Sequence, residues 1–162
     1  MRKCTIICII SFCSLSVQNG QAKTIFFPNH DKSLFQLESP KNWSVWQQND
    51  VLTIFPPDTA VFFNCFNLKV SNWEHAMLAI HKLLNEKMPK LENPEPETID
   101  IHDYTFFFYY GSGMNEEGNL NKITLAFFSP DENNFCVFLY FGSPAAIKHY
   151  SIAIQKMFLS IH

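Results

Sequence analysis

The hydrophobic pattern opens with a block. Behind Arg2 and Lys3, the stretch from Thr5 to Val17 is almost continuously apolar (Ile6, Ile7, Ile9, Ile10, Phe12, Leu15, Val17). Gly20-Gln21-Ala22 then offers small residues where a signal peptidase reads. The run is short for a bilayer span, which needs roughly 20 residues. The pattern predicts a cleavable signal peptide over residues 1–22 and a single exported domain over 23–162, with no stable membrane span once the signal is removed. If the signal were kept, it would serve as an anchor.

Beyond the block the rhythm becomes that of strands. Ile25 to Phe27 is apolar and stops at Pro28; Leu34 to Glu38 alternates weakly and stops at Ser39-Pro40. Trp43 to Trp46 and Val51 to Phe55 flank Gln47-Gln48-Asn49-Asp50, which reads as a hairpin. Pro56-Pro57-Asp58-Thr59 breaks the chain, and Val61 to Val70 is a long β-rich run. The period then changes. Trp73, Met77, Ile80 and Leu84 recur at helical spacing beside Ala76 and Leu83, with Ser71 and Glu74 placed as a capping box and Pro89 as the stop. Pro89 to Asp103 is acidic and proline-rich and reads as an exposed connection.

Three apolar strands follow, Tyr104 to Tyr110, Leu120 to Phe128 and Phe135 to Phe141, joined by Gly111 to Gly118 and Ser129 to Asn134. Links this short make antiparallel neighbours. Ser143 then caps a last helix with Pro144 at its first position, and Ile147, Tyr150, Ile154, Phe158 and Ile161 form its apolar stripe with Met157 alongside. Strands, helix, strands, helix is the order of an α+β domain: an antiparallel β-sheet with two amphipathic helices. Because two of the strands are apolar at nearly every position, both sheet faces need cover. The helices are therefore expected on opposite faces, or one face is completed by the N-terminal hairpin.

Several of these segments together carry a family likeness. Phe35-Gln36-Leu37-Glu38-Ser39-Pro40-Lys41-Asn42-Trp43 joins a strand, a proline and a tryptophan. Val51 to Asp58, the helix opening at Trp73, the Gly111 to Gly118 hairpin and the closing Leu159-Ser160-Ile161 complete the set. In these features the chain resembles the PsbP-like group, which includes the bacterial DcrB-like proteins. The resemblance implies an α/β/α sandwich and a binding role without catalysis, and it supplies no catalytic residue. Members of the group serve photosystem assembly, phage sensitivity and chaperoning of secreted effectors; a signal peptide argues against the intracellular chaperone role.

Composition narrows the partners. Sixteen of the 17 Phe lie after residue 22, beside three Trp and five Tyr, enough apolar mass to exclude a disordered chain. Loss of Arg2 and Lys3 leaves ten basic against 15 acidic residues, a net charge of −5. Arg2 is the sole arginine. Without guanidinium groups or a lysine cluster, neither nucleic acid nor an anionic lipid surface is an expected partner.

Candidate chemistry is sparse. Of five cysteines, Cys4, Cys8 and Cys13 fall in the signal; Phe12 before Cys13 argues against lipidation. Cys65 and Cys136 remain, either as a disulfide, if their strands are neighbours with matching faces, or as buried free thiols. His102-Asp103 with Asp100 matches no standard metal-ligand spacing, and Glu92, Glu95, Glu97 and Asp100 lack an EF-hand rhythm. Glu116-Glu117 reads the same way, so no metal and no cofactor are expected. Nothing places His149 near Cys136, Ser112 lacks a nucleophile elbow, and His75 and His81 are not one helical turn apart. Asn42-Trp43-Ser44 is a glycosylation sequon, relevant only in a eukaryotic secretory route. No catalytic residue is assigned, and no enzymatic activity is expected.

The aromatic excess leaves the most room for function. Trp43 and Trp46 should point to opposite sides of their strand, one into the core and one outward. Trp43, Trp46, Tyr109 and Tyr110 are the candidate interaction surface. The leading expectation is a small exported accessory or binding protein acting through protein–protein contacts in the periplasm or envelope. A carrier of an apolar or lipid-like small molecule is the alternative, and an envelope hydrolase comes behind both.

Overall fold

The computed structural model describes residues 22–115 and 117–162; the apolar block assigned to a signal peptide, with Cys13, lies outside the described residues over 1–21, as does Glu116. The elements are β1 (Lys23–Phe27), β2 (Phe35–Ser39), β3 (Ser44–Gln48), β4 (Val51–Phe55), β5 (Val61–Leu68), α1 (Trp73–Lys87), β6 (Lys90–Leu91), β7 (Glu97–Ile101), β8 (Tyr104–Met114), β9 (Leu120–Asp131), β10 (Asn134–Gly142) and α2 (Pro144–Leu159). The fold is α+β, as the pattern implied.

An eight-stranded antiparallel sheet runs β3-β4-β5-β10-β9-β8, with β6 and β7 both on the outer side of β8. The last strand in the chain, β10, lies in the middle, between β5 and β9. The helices lie on opposite faces. On one face, Ile154, Met157, Phe158 and Ile161 at the end of the chain pack with Phe63, Phe106, Phe128 and Phe138. Phe158 of α2 stands edge-on to Phe63, Phe106, Phe108 and Phe138 at centroid distances of 5.4 to 5.9 Å. The β1–β2 hairpin closes the rest of this face with Ile25, Phe27, Phe35 and Leu37, all buried. The two expected forms of cover, opposed helices and an N-terminal hairpin, are therefore both present. β2 is held in turn by the chain end: Gln36 N–H donates to His162 O at 2.8 Å and His162 N–H to Gln36 O at 3.1 Å.

On the other face α1 lays Ile80 and Leu84, with Met88 just beyond, over Tyr109, Leu125, Phe127 and Val137. Its N-cap is Asn72, whose side chain accepts from His75 N–H at 2.9 Å, rather than Ser71. The Ser71 hydroxyl instead meets the His75 ring at 3.0 Å. Ser143 caps α2 as its sequence implied, accepting from Ala146 N–H at 3.2 Å.

Two connections are shorter than expected. The glycines after Tyr110 stay in strand, and β8 runs on to Met114. A Cβ on Gly111 would lie 2.7 Å from Lys90 O and 2.9 Å from Met88 Cε, so the bare backbone lets the chain leaving α1 cross closely. The acidic segment contains strand β7, paired with Tyr104 to Phe108 of β8. Its side chains are exposed apart from Ile101, which hides its strand character from a hydrophobicity reading.

Candidate interaction surface

Helix α1 covers only part of its face. Toward β3 the sheet continues without a covering element among the described residues. Phe62 on β5 stands opposite Phe141 on β10, with ring centroids 5.7 Å apart and nearly parallel planes. Phe55 on β4 lies 5.7 Å from Phe62 on its other side. The three half-buried rings form a row across three strands, flanked by Val51 and by Trp46, which is 51% exposed. One polar pair interrupts the surface: Thr53 donates to Asn64 Oδ1 at 2.9 Å. Among the described residues the row is a contiguous apolar strip on the open part of this face, unlike singly scattered apolar side chains.

The two tryptophans divide as their spacing implied. Trp43 turns to the α2 face, edge-on to Tyr150 at 5.3 Å, and Trp46 points the other way into solvent. The tyrosines do not join them. Tyr109 is buried beneath α1 and cannot meet a partner. Tyr110 faces the opposite side, where its hydroxyl donates to Glu97 at 2.8 Å. Burial, then the Glu97 carboxylate, raises the Tyr110 hydroxyl pKa well above its usual value. Of the four candidates only Trp46 therefore lies on this face, Trp43 and Tyr110 facing the α2 side and Tyr109 being buried under α1, and Phe55, Phe62 and Phe141 lie beside it.

Cys65 and Cys136 are free and buried. Cys65 stands opposite Phe138 and Cys136 opposite Asn67, so the thiols occupy diagonal positions on adjacent strands. Diagonal neighbours are about 7–8 Å apart, whereas a disulfide needs Cβ atoms roughly 3.5–4.5 Å apart. Burial pushes both thiols up, as neutral core groups.

The remaining polar candidates are accounted for by local structure. His102, at φ 53° in the β7–β8 turn, donates from Nε2 to Leu159 O at 2.9 Å and ties that turn to the end of α2. Asp100 accepts from Thr105 at 2.7 Å, Glu92 pairs with Lys122, and Glu117 accepts from Asn119 at 3.2 Å. Glu95 stays exposed. Among the described residues no three metal-ligating side chains converge. Ser112 is buried in β8 between Lys90 and Lys122. Exposed His149 rests its ring on Tyr150, while Cys136 is closed in the core. His81 is exposed on α1, and Asn42 occupies an exposed turn at φ 66°.

Two recesses accompany the surface. One, of about 680 Å³, lies between β1 and the edge strand β3. The other, of about 230 Å³, is apolar and lies between α2 and the β7–β8 hairpin, lined by Ile99, Phe108, Tyr140 and Ile154. No helix among the described residues is long and apolar enough to cross a membrane.

This architecture, a largely antiparallel sheet with a helix on each face, defines the class. No protein-family profile matches the chain, and no curated protein does. Solved structures do. A Bacteroides thetaiotaomicron protein superimposes with a TM-score of 0.60 at 14% identity, over 88% of this chain. The chain spans 48% of that protein's length. LpqN, a Mycobacterium tuberculosis protein involved in cell envelope biogenesis, superimposes with a TM-score of 0.60 at 11% identity, over 78% of this chain and 81% of LpqN. At such identities the likeness is one of fold.

Proposed function

We propose that the protein is an exported accessory or binding protein of PsbP-like architecture, non-catalytic, acting through protein–protein contacts in the cell envelope. The observation that carries this reading is the uncovered Phe55–Phe62–Phe141 row with Trp46 beside it. Folding leaves this apolar area in water at a cost of about 25 cal/mol per Å², which a partner surface would recover. The envelope role of LpqN, a neighbour in fold, is compatible with the compartment that the signal-like block suggests.

The test is a photoreactive residue placed at Phe62, with adducts collected from intact envelopes and identified by mass spectrometry. A discrete protein adduct is expected. Adducts that are absent, or that are lipid alone, overturn the reading.

The apolar-ligand alternative is favoured by the recess against α2. At about 230 Å³ it falls below the roughly 300–1,000 Å³ of small-molecule pockets, and the cleft of about 680 Å³ beside β3 is lined mostly by polar residues, so protein contact remains the stronger reading. Native mass spectrometry of the purified protein separates the two: a stoichiometric bound lipid would favour the carrier.

A further inference from the structure

The two outer edges of the large sheet are built differently. The β7 edge carries Glu97 and Asp100 and is approached through Pro94 and Pro96. Charges and prolines of this kind keep other chains from adding to an edge. The β3 edge, Ser-Val-Trp-Gln-Gln, has neither. Among the described residues β3 pairs only with β4, and alternate residues of such a strand turn their N–H and C=O groups outward.

A second open edge faces it. Among the described residues β1 pairs only with β2. The cleft of about 680 Å³ between the two is lined by Lys23, Thr24, Phe26 and His30 on one wall and by Val45 and Gln47 on the other. The Gln47 amide crosses it and donates to the carbonyls of Phe26 and Pro28. A side chain here does for β1 what the main chain of a neighbouring strand would do.

We propose that the β3 edge receives an extended segment of a partner polypeptide, which joins the sheet as an additional strand by main-chain hydrogen bonding. The inference rests on the protein-contact reading above and specifies the form of the partner. Strand alternation dictates its chemistry. Side chains on the α1 side of the sheet meet Trp46 and the aromatic row behind it, so those positions are apolar. Side chains on the other side enter the cleft, whose lining includes Lys23 and His30 and no carboxylate, so those positions are polar or acidic. β3 is five residues long, so the segment spans about 17 Å.

The experiment screens random linear peptides of about ten residues, displayed on phage, against the protein purified from an exporting host. Enriched peptides are resynthesised in normal form and with alternate amides N-methylated. Apolar residues at every second position are expected. Binding should weaken about tenfold or more for the N-methylated form and for Trp46→Lys. The alternate amides of Ser44 to Gln48 that turn away from β4 should gain protection from hydrogen exchange.

An absence of enriched peptides, binding indifferent to N-methylation, or protection elsewhere overturns the proposal. So does Trp46-dependent self-association without peptide, which would make the occupant a second copy. A protein adduct at Phe62 with β3 exchange unchanged would refute strand addition and leave the protein-contact reading standing; no adduct at all would remove that reading itself.

Discussion

The two faces of one sheet are finished to different degrees. The α2 face is closed by a helix, by the β1–β2 hairpin and by the chain end, and its rings are locked edge-on and stacked around Phe158. The α1 face is closed over β8, β9 and β10 and left open toward β3 and β4. A closed face contributes stability that interior packing secures. An open one keeps apolar area available for something outside the chain. The first face therefore holds the fold, and the second is where a partner has room.

The largest break in this contrast comes from the closed face. Phe138→Ala, at a fully buried position ringed by Phe35, Phe63, Phe128 and Phe158, should cost about 3–5 kcal/mol in chemical denaturation. Ile80→Ala on the buried side of α1 should cost about 2–5 kcal/mol, toward the lower end if the partly covered helix resettles. Gly111→Val forces side-chain atoms against Lys90 O and should cost about 1–3 kcal/mol, with the loss read as faster amide exchange in β6. Phe62→Ser should change stability by about 1 kcal/mol or less while abolishing the photo-adduct from a neighbouring probe at Phe55. An equal cost at Phe62 and Phe138 would erase the distinction between the faces.

The smallest effect sharpens the contrast at its rim. The Asp58 carboxyl is held below its usual pKa by the Ala60 N–H and then by the Tyr150 hydroxyl, which donates at 2.8 Å. A lowered carboxyl contributes stability above the unfolded pKa of about 3.9, and that stability is lost as pH falls through the folded value. Asp58→Asn should therefore lower stability slightly across the neutral region, converge with the unsubstituted protein at acid pH, and so flatten the acid limb of a stability–pH curve below about pH 4.

Much of this was legible in the chain, for physical reasons that differ by segment. The helices declared themselves through period and caps, since Ile80 and Leu84 must fall on one side of α1 and Ile154, Met157 and Phe158 on one side of α2. The split between Trp43 and Trp46 followed from strand alternation. The apolar run from Phe106 to Tyr110 could not reveal which side lay under α1, because nearly every position is aromatic and cover is decided by distant residues. Tyr109 was misplaced for that reason. The row of Phe55, Phe62 and Phe141 was missed because it is assembled from three strands. Along β5 the residue types give no sign of it, since Val61, Phe62 and Phe63 are all apolar; only in the fold do Val61, Phe63 and Cys65 become buried while Phe62 stays half-buried. The acidic β7 and the glycine-bearing end of β8 escaped notice because their pairing depends on the neighbouring strand more than on their own composition.

The central place of β10 has a consequence in time. Its partners on β5 lie 67 to 81 positions earlier in the chain. Until synthesis reaches Asn134, the N-terminal half of the sheet ends in β5, an apolar strand with its inner side bare. Contacts so remote in sequence make folding slow, in the range of milliseconds to seconds, and leave that strand open to misassociation meanwhile. The closing of the sheet thus follows the making of every other strand of it. A chaperone that shields Val61 to Leu68 during that interval should raise the yield of folded protein more than one acting on any other strand.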